Sequence, residues 1–169
     1  MRPASNEHAP YYAKYIGLAP DGDIVSQLKS QIGETIGLLS PLSDAAGDFR
    51  YAPDKWSLKE VLGHMIDTER IFSFRALSFA RGDRNPLPGF EQDDYVRAAG
   101  SNERTLKSLV EEFEAVRRST VLLFGNFSEA AWQRRGIASG NEVTVRALAW
   151  IIAGHELHHR RGIAENYLR

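Results

Sequence analysis

The sequence predicts an all-α protein, a four-helix bundle with long connections. Three observations carry this expectation. Four stretches repeat apolar residues at steps of three and four, the spacing that puts them on one face of a helix. No stretch shows a convincing strand pattern. One helix start, Ser57-Leu58-Lys59-Glu60, reads as a capping box. We expect residues 1–20 to form an extended lead-in lying against the body and residues 21–169 to form one bundle domain. The lead-in carries Pro3, Pro10 and Pro20 around the Tyr11-Tyr12 and Tyr15 cluster.

The first helix is expected over Asp21–Leu39, capped by Asp23, with Ile24, Leu28, Ile32, Thr35 and Leu39 on its stripe. Ser40-Pro41 ends it, because the residue before proline avoids the helical region. Gly33 and Gly37 either permit a close helix contact or only weaken the helix, by about 1 kcal/mol each against alanine. After a link over residues 41–56, Ser57 caps the second helix, which runs to about Ala80. Trp56 is placed to staple onto Val61 and fix the angle at which the chain enters. Val61, His64, Met65, Thr68, Ile71, Phe72 and Arg75 share one side, so His64 falls on an inward stripe. Residues 81–100 are a turn-rich link with a short helical piece at Glu91–Ala98. The third helix is expected from a Ser101 cap to Phe124, with Leu106, Leu109, Phe113, Val116, Thr120 and Leu123 as its stripe. Residues 125–143 form another link, with a short turn at Ser128–Trp132 and a turn or brief hairpin marked by Gly136 and Gly140. Thr144 caps the fourth helix, which runs to about Tyr167. Its stripe is Val145, Leu148, Ile152, His155, His159 and Ile163.

Composition narrows the function. Formal net charge is −1 over 169 residues, so no global field draws the chain to nucleic acid or an anionic membrane. No apolar run approaches the ~20 residues of a spanning helix, and MRPASNEHAP lacks a signal-peptide core. A cytoplasmic location is the expectation. Cysteine is absent. That excludes disulfides and cysteine metal sites, so any metal must be held by His, Asp or Glu.

The histidines are the chemical signal. His155 and His159 are spaced i, i+4, which sets both imidazoles on one helix face a turn apart. With His64 from a facing helix they would give a divalent cation three nitrogen ligands and an open position, the pattern of catalytic rather than structural zinc. The bland reading is three buried histidines without metal. Buried rings must each satisfy their nitrogens, and a shared ion does this for all. His158, three residues from His155, competes with His159 for ligation. The apolar stripe runs through His159, so His158 is assigned to contacts beside the site. His155-Glu156-Leu157-His158-His159 also contains a formal H-E-x-x-H, with Glu156 as a protease general base. That reading leaves His64 unused and has no downstream ligand. Asp67 and Glu69 read as helix-surface carboxylates or as partners of Arg70 and Arg75. Arg160 and Arg161 complement the helix dipole.

Tyr51, Lys55-Trp56-Ser57, Glu60, His64, Asp67 and Glu69-Arg70 together resemble the second-helix signature of the DinB/YfiT-like superfamily. Thr144-Val145-Arg146, Leu148, Gly154-His155-Glu156 and His158-His159 resemble its last-helix signature, and Arg81-Gly82-Asp83 with Pro86 and Pro88-Gly89-Phe90 fit between. The resemblance implies an up-down-down-up four-helix bundle, often a homodimer. Its metal triad falls on His64, His155 and His159, with zinc or nickel as the usual ion. It further implies kinship with S-transferases acting on a low-molecular-weight thiol such as bacillithiol and, more distantly, with mycothiol-dependent isomerases. The expected function is therefore a metal-dependent thiol S-transferase on a small-molecule substrate. The alternatives are a hydrolase using the metal's water and a non-catalytic, stress-related metal-binding bundle. Arg75, Arg81 and Gln92 stand near the long link as candidates to hold a polar cosubstrate.

Overall fold

A computed structural model describes residues 1–168; Arg169, at which the expected bundle domain ends, lies outside the described residues. Four long helices dominate: α2 (Ile24–Leu39), α4 (Leu58–Ala80), α6 (Leu106–Gly125) and α8 (Val145–Asn166). Shorter ones are α1 (Ala13–Ile16), α3 (Asp44–Asp48), α5 (Gln92–Ala98) and α7 (Glu129–Trp132).

Helix α2 packs on α6 and α8, and so does α4. Consecutive long helices therefore lie mainly across the bundle from one another. Cross-helix bonds fix the directions. Gln31 donates to the Ala153 carbonyl and Thr35 bonds Glu156, so α2 and α8 run parallel. His64 faces His155 while Tyr167 Oη donates to the Trp56 carbonyl, so α4 and α8 are antiparallel. Glu69 meets Arg117 and Ser73 meets Thr120, so α4 and α6 are parallel. This is the up-down-down-up arrangement, and it needs the long links the sequence contains.

The helix starts follow local chemistry. The Ser57 hydroxyl accepts from the Glu60 amide at 3.1 Å and the Glu60 carboxylate accepts from the Ser57 amide at 2.8 Å, closing the capping box. Asp23 and Thr144 cap α2 and α8 as expected. The third start differs. Ser101 opens a 3₁₀ turn, and Thr105 caps α6 by accepting from the Ser108 amide. Ser101 is instead buried against Gly63 of α4. The link ahead of α8 is a hairpin, β1 (Arg135–Ala138) with β2 (Asn141–Thr144). Its turn residues Ser139 and Gly140 both have positive φ, the geometry a two-residue hairpin turn requires.

Two apolar clusters fill the bundle. One gathers Leu28, Phe72, Phe79, Phe124 and Trp150; the other gathers Leu39, Leu58, Leu62, Leu106, Phe113 and Ile163. A fully buried side chain of this kind contributes about 1.5–3 kcal/mol. Between them lies a polar layer of Gln31, Thr35, Glu69, Arg117, His155 and Glu156. Of the two readings of Gly33 and Gly37, the close helix contact is not the one seen, since a Cβ at either would meet nothing within 4 Å; they only weaken the helix.

Residues 1–20 are not extended. They turn through 3₁₀ pieces at Ser5–Glu7 and Pro10–Tyr12 and then α1. Pro10 starts its turn because its fixed φ suits a first helical position. The segment does lie against the body. Arg2 donates to the Ile16 and Ala19 carbonyls and stacks on Trp150, and Glu7 bonds Thr144 and Arg146. Its backbone reaches α8 at Gly154, where a Cβ would sit 1.9 Å from the Tyr15 carbonyl oxygen.

Candidate metal centre

His64, His155 and His159 come together. The Nε2 atoms of His64 and His155 are 3.1 Å apart, as are those of His159 and His155. One nitrogen from each ring lies within 4.8 Å of the others. Ligands about 2.0–2.1 Å from a tetrahedral ion stand roughly 3.3 Å apart, so the observed spacing fits a shared cation. All three rings are mostly buried. Desolvation pulls His64 down to about 4 and His159 to about 3, and holds His155 well below its ordinary value. They are therefore neutral near pH 7, with lone pairs available. Thr68 Oγ1 stands 3.4 Å from His64 Nδ1, on the far side of that ring from the cluster. A proton at Nδ1 leaves the Nε2 lone pair free to face the other rings.

The supporting residues come from three parts of the chain. Trp56, just before the Ser57 cap, lays its ring 4.9 Å from that of His64. It also joins the apolar cluster that holds Val61, which is where the expected staple would put it. Tyr15 of the lead-in sets its ring edge-on to both His155 and His158. His158 stays at the rim, exposed, against Tyr15 and His159.

Glu156 and Glu69 belong to a different structure. Both are buried, at 2% and 4% exposure, and both bind Arg117, which is 0% exposed. Arg117 Nε and Nη2 donate to the two Glu69 oxygens at 2.7 and 2.8 Å, and Nη1 reaches Glu156. Glu156 also accepts from Thr35. Burial pushes the Glu156 carboxyl up, opposed by Arg117 and Thr35. A Glu156 general base is therefore unsupported, and Glu69 is not a surface carboxylate. Arg117 carried a signal in its spacing. It follows Phe113 by four residues and precedes Thr120 by three, a charge on an apolar stripe.

Of the three residues near the long link, Arg75 is buried. It donates to the Pro88 carbonyl at 2.7 Å and to Ser139 Oγ at 3.0 Å, tying link to hairpin. Arg81 lies over the Phe127 ring. Gln92 lines a cavity of about 290 Å³ onto which His64 and His155 open. A larger cavity, about 730 Å³, touches His158 and His159.

The sequence model of the DinB superfamily matches residues 27–163. No curated protein sequence matches the chain. Among solved structures, YfiT from Bacillus subtilis, described as a probable metal-dependent hydrolase with an unusual four-helix bundle topology, superposes with a TM-score of 0.70 at 12% identity, over 98% of this chain and 90% of that one. A mycothiol-dependent maleylpyruvate isomerase gives 0.69 at 12% identity over 86% of this chain, which spans 61% of the isomerase. A DinB-like protein, YjoA, from Bacillus subtilis gives 0.61 at 22% identity, over 87% of this chain and 90% of that one. These likenesses show a shared fold. The family-model match over most of its length establishes that the chain belongs to the DinB superfamily.

Proposed function

We propose that His64, His155 and His159 hold one divalent cation, zinc or nickel, and that the protein is a metal-dependent S-transferase acting on a low-molecular-weight thiol. The observation that carries this reading is the convergence of three neutral imidazoles, with 3.1 Å between neighbouring Nε2 atoms, beside cavities that a small molecule can enter. A cation in such a three-ligand setting lowers the pKa of a thiol or water at its remaining position. The chain's own residues do the rest. Thr68 stands within hydrogen-bonding reach of His64 Nδ1, and Trp56 and Tyr15 hold the rings by packing.

Thiol use is supported by the likeness to a mycothiol-dependent isomerase, and hydrolysis is the competing chemistry, as described for YfiT. The test is to load untagged protein with zinc or nickel and incubate it with a panel of thiols and a chloro-aromatic electrophile. Thioether formation that depends on metal and disappears in His64→Ala supports the transferase. Hydrolysis of the electrophile without thiol consumption favours the hydrolase. Metal retention without turnover across the panel favours the non-catalytic bundle. We further propose a homodimer in the cytoplasm. No helix among the described residues is long and apolar enough to cross a membrane.

A further inference from the structure

The three candidate ligands stand on two helices, His64 on α4 and His155 with His159 on α8. The separation of α4 from α8 therefore sets the distance at which the rings meet. A site must hold its groups to within about 0.5 Å to present one geometry. Apart from the histidine nitrogens themselves, no side chain of α4 bonds directly to α8 among the described residues. The bond from Tyr167 Oη to the Trp56 carbonyl lies just beyond the ends of both helices. The polar tie at the level of the histidines is indirect, and it runs through Arg117 of α6.

Arg117 divides its guanidinium between the two ligand-bearing helices. Nε and Nη2 fork across both oxygens of Glu69 on α4, at 2.7 and 2.8 Å, and Nη1 reaches Glu156 on α8. Glu156 directly follows His155 in the chain. Glu69 directly follows Thr68, whose Oγ1 stands 3.4 Å from His64 Nδ1. From α2, Thr35 bonds Glu156 and Gln31 Oε1 accepts from Arg117 Nη1 at 3.3 Å. All four long helices thus meet at one guanidinium. A cavity of about 10 Å³ is lined by Thr68, Glu69, Arg117, Glu156 and His155 together, room for about one water, so the ion pairs and the His155 ring border the same gap.

A buried ion-pair layer that only specifies which helices pair would be the plainer account. The position of this one argues for more, because it joins the residues next to His155 and to Thr68 across the very gap the cation must span. We propose that Arg117 is a positioning residue of the metal centre. By clamping Glu69 to Glu156 it fixes the separation at which His64 meets His155 and His159, while bonding none of the three rings. This rests on the shared-cation reading and is independent of which substrate the centre serves.

Two readouts test this without turnover: zinc affinity, by competition with a chromophoric chelator, and the visible bands of bound cobalt(II), which follow the arrangement of its ligands. Arg117→Met with Glu69→Gln and Glu156→Gln removes the clamp and leaves no charge unpaired. It should fold, bind zinc about tenfold more weakly and shift the cobalt bands. Arg117→Lys keeps the charge but replaces the fork by one ammonium, and should move both readouts the same way by a smaller factor. Phe79→Leu controls for lost stability alone. Phe79 is buried at the far end of α4 from His64, about 22 Å along the axis at 1.5 Å per residue. Its truncation should destabilise the bundle and leave both readouts as in wild type. Wild-type affinity and bands in both Arg117 variants, or equal weakening in Phe79→Leu, would overturn the positioning role and leave the metal reading standing. Wild-type protein that binds neither zinc nor cobalt would sink that reading, and the positioning role with it.

Discussion

Arg117→Met should be among the most damaging single substitutions in the bundle. The wild-type guanidinium makes two bonds to Glu69 at 2.7 and 2.8 Å and a third to Glu156, with Gln31 Oε1 at 3.3 Å and the Leu28 carbonyl at 3.4 Å. Methionine fills much of the volume but leaves two carboxylates, 4% and 2% exposed, with no cation. Breaking one side of a buried ion pair costs about 3–5 kcal/mol. For a chain of this length that is a fall in Tm of about 10 °C. The sign with pH follows. Burial already pushes the Glu156 carboxyl up against the opposing pull of Arg117, and without that pull its folded-state value stands further above the unfolded one, so the folded form binds an extra proton and loses stability as pH rises. Urea denaturation of metal-free protein should therefore show a larger deficit near about pH 8 than near about pH 5. Adding Glu69→Gln and Glu156→Gln should recover much of the loss. A deficit under about 1 kcal/mol, or one independent of pH, would refute the reasoning.

Three further outcomes are expected. In metal-free protein, His64 at about 4 and His159 at about 3 lie below the unfolded value of 6.5, so stability is full above that value and falls as pH drops through the interval; a flat urea midpoint there would contradict the burial of neutral rings. Gly154→Ala should cost several kcal/mol or detach the lead-in, because the new Cβ would meet the Tyr15 carbonyl at 1.9 Å; limited proteolysis should then cut before Asp21, and unchanged protection would show that the chain adapts. Burial favours protonated Glu7, but bonds from Arg146, the Ala4 amide and Thr144 outweigh it and hold the carboxyl low; the lead-in's clamp is thus present above about pH 4.5 and lost on acidification, and Glu7→Gln should remove that dependence from proteolysis of the lead-in.

The four helices were legible because each carries a stripe and three carry their caps in sequence: Asp23, Ser57 with Glu60, and Thr144. His64, His155 and His159 were legible because they interrupt apolar lines. Ser101 was misread because a serine before a helical run resembles a cap, while Thr105, four residues on, makes the bond. Ser101 packs instead on Gly63 of α4, a tertiary contact that no local pattern records. Glu69 was misread for a related reason. It follows Thr68 on the stripe, and only the arrival of Arg117 from another helix makes a buried carboxylate tolerable there. The cavity beside His64 and His155 needs three distant segments to meet, so in the sequence Tyr11, Tyr12 and Tyr15 read only as part of a lead-in lying against the body.

Metal content tests the central claim most directly. Protein expressed without a histidine tag and purified away from chelators is measured by elemental analysis, beside His64→Ala, His159→Ala and His158→Ala. About one divalent ion per chain is expected in the wild type and in His158→Ala, falling close to zero in His64→Ala and His159→Ala. Unchanged stoichiometry in those last two variants, each shown to be folded by circular dichroism, would contradict a metal shared by residues 64, 155 and 159.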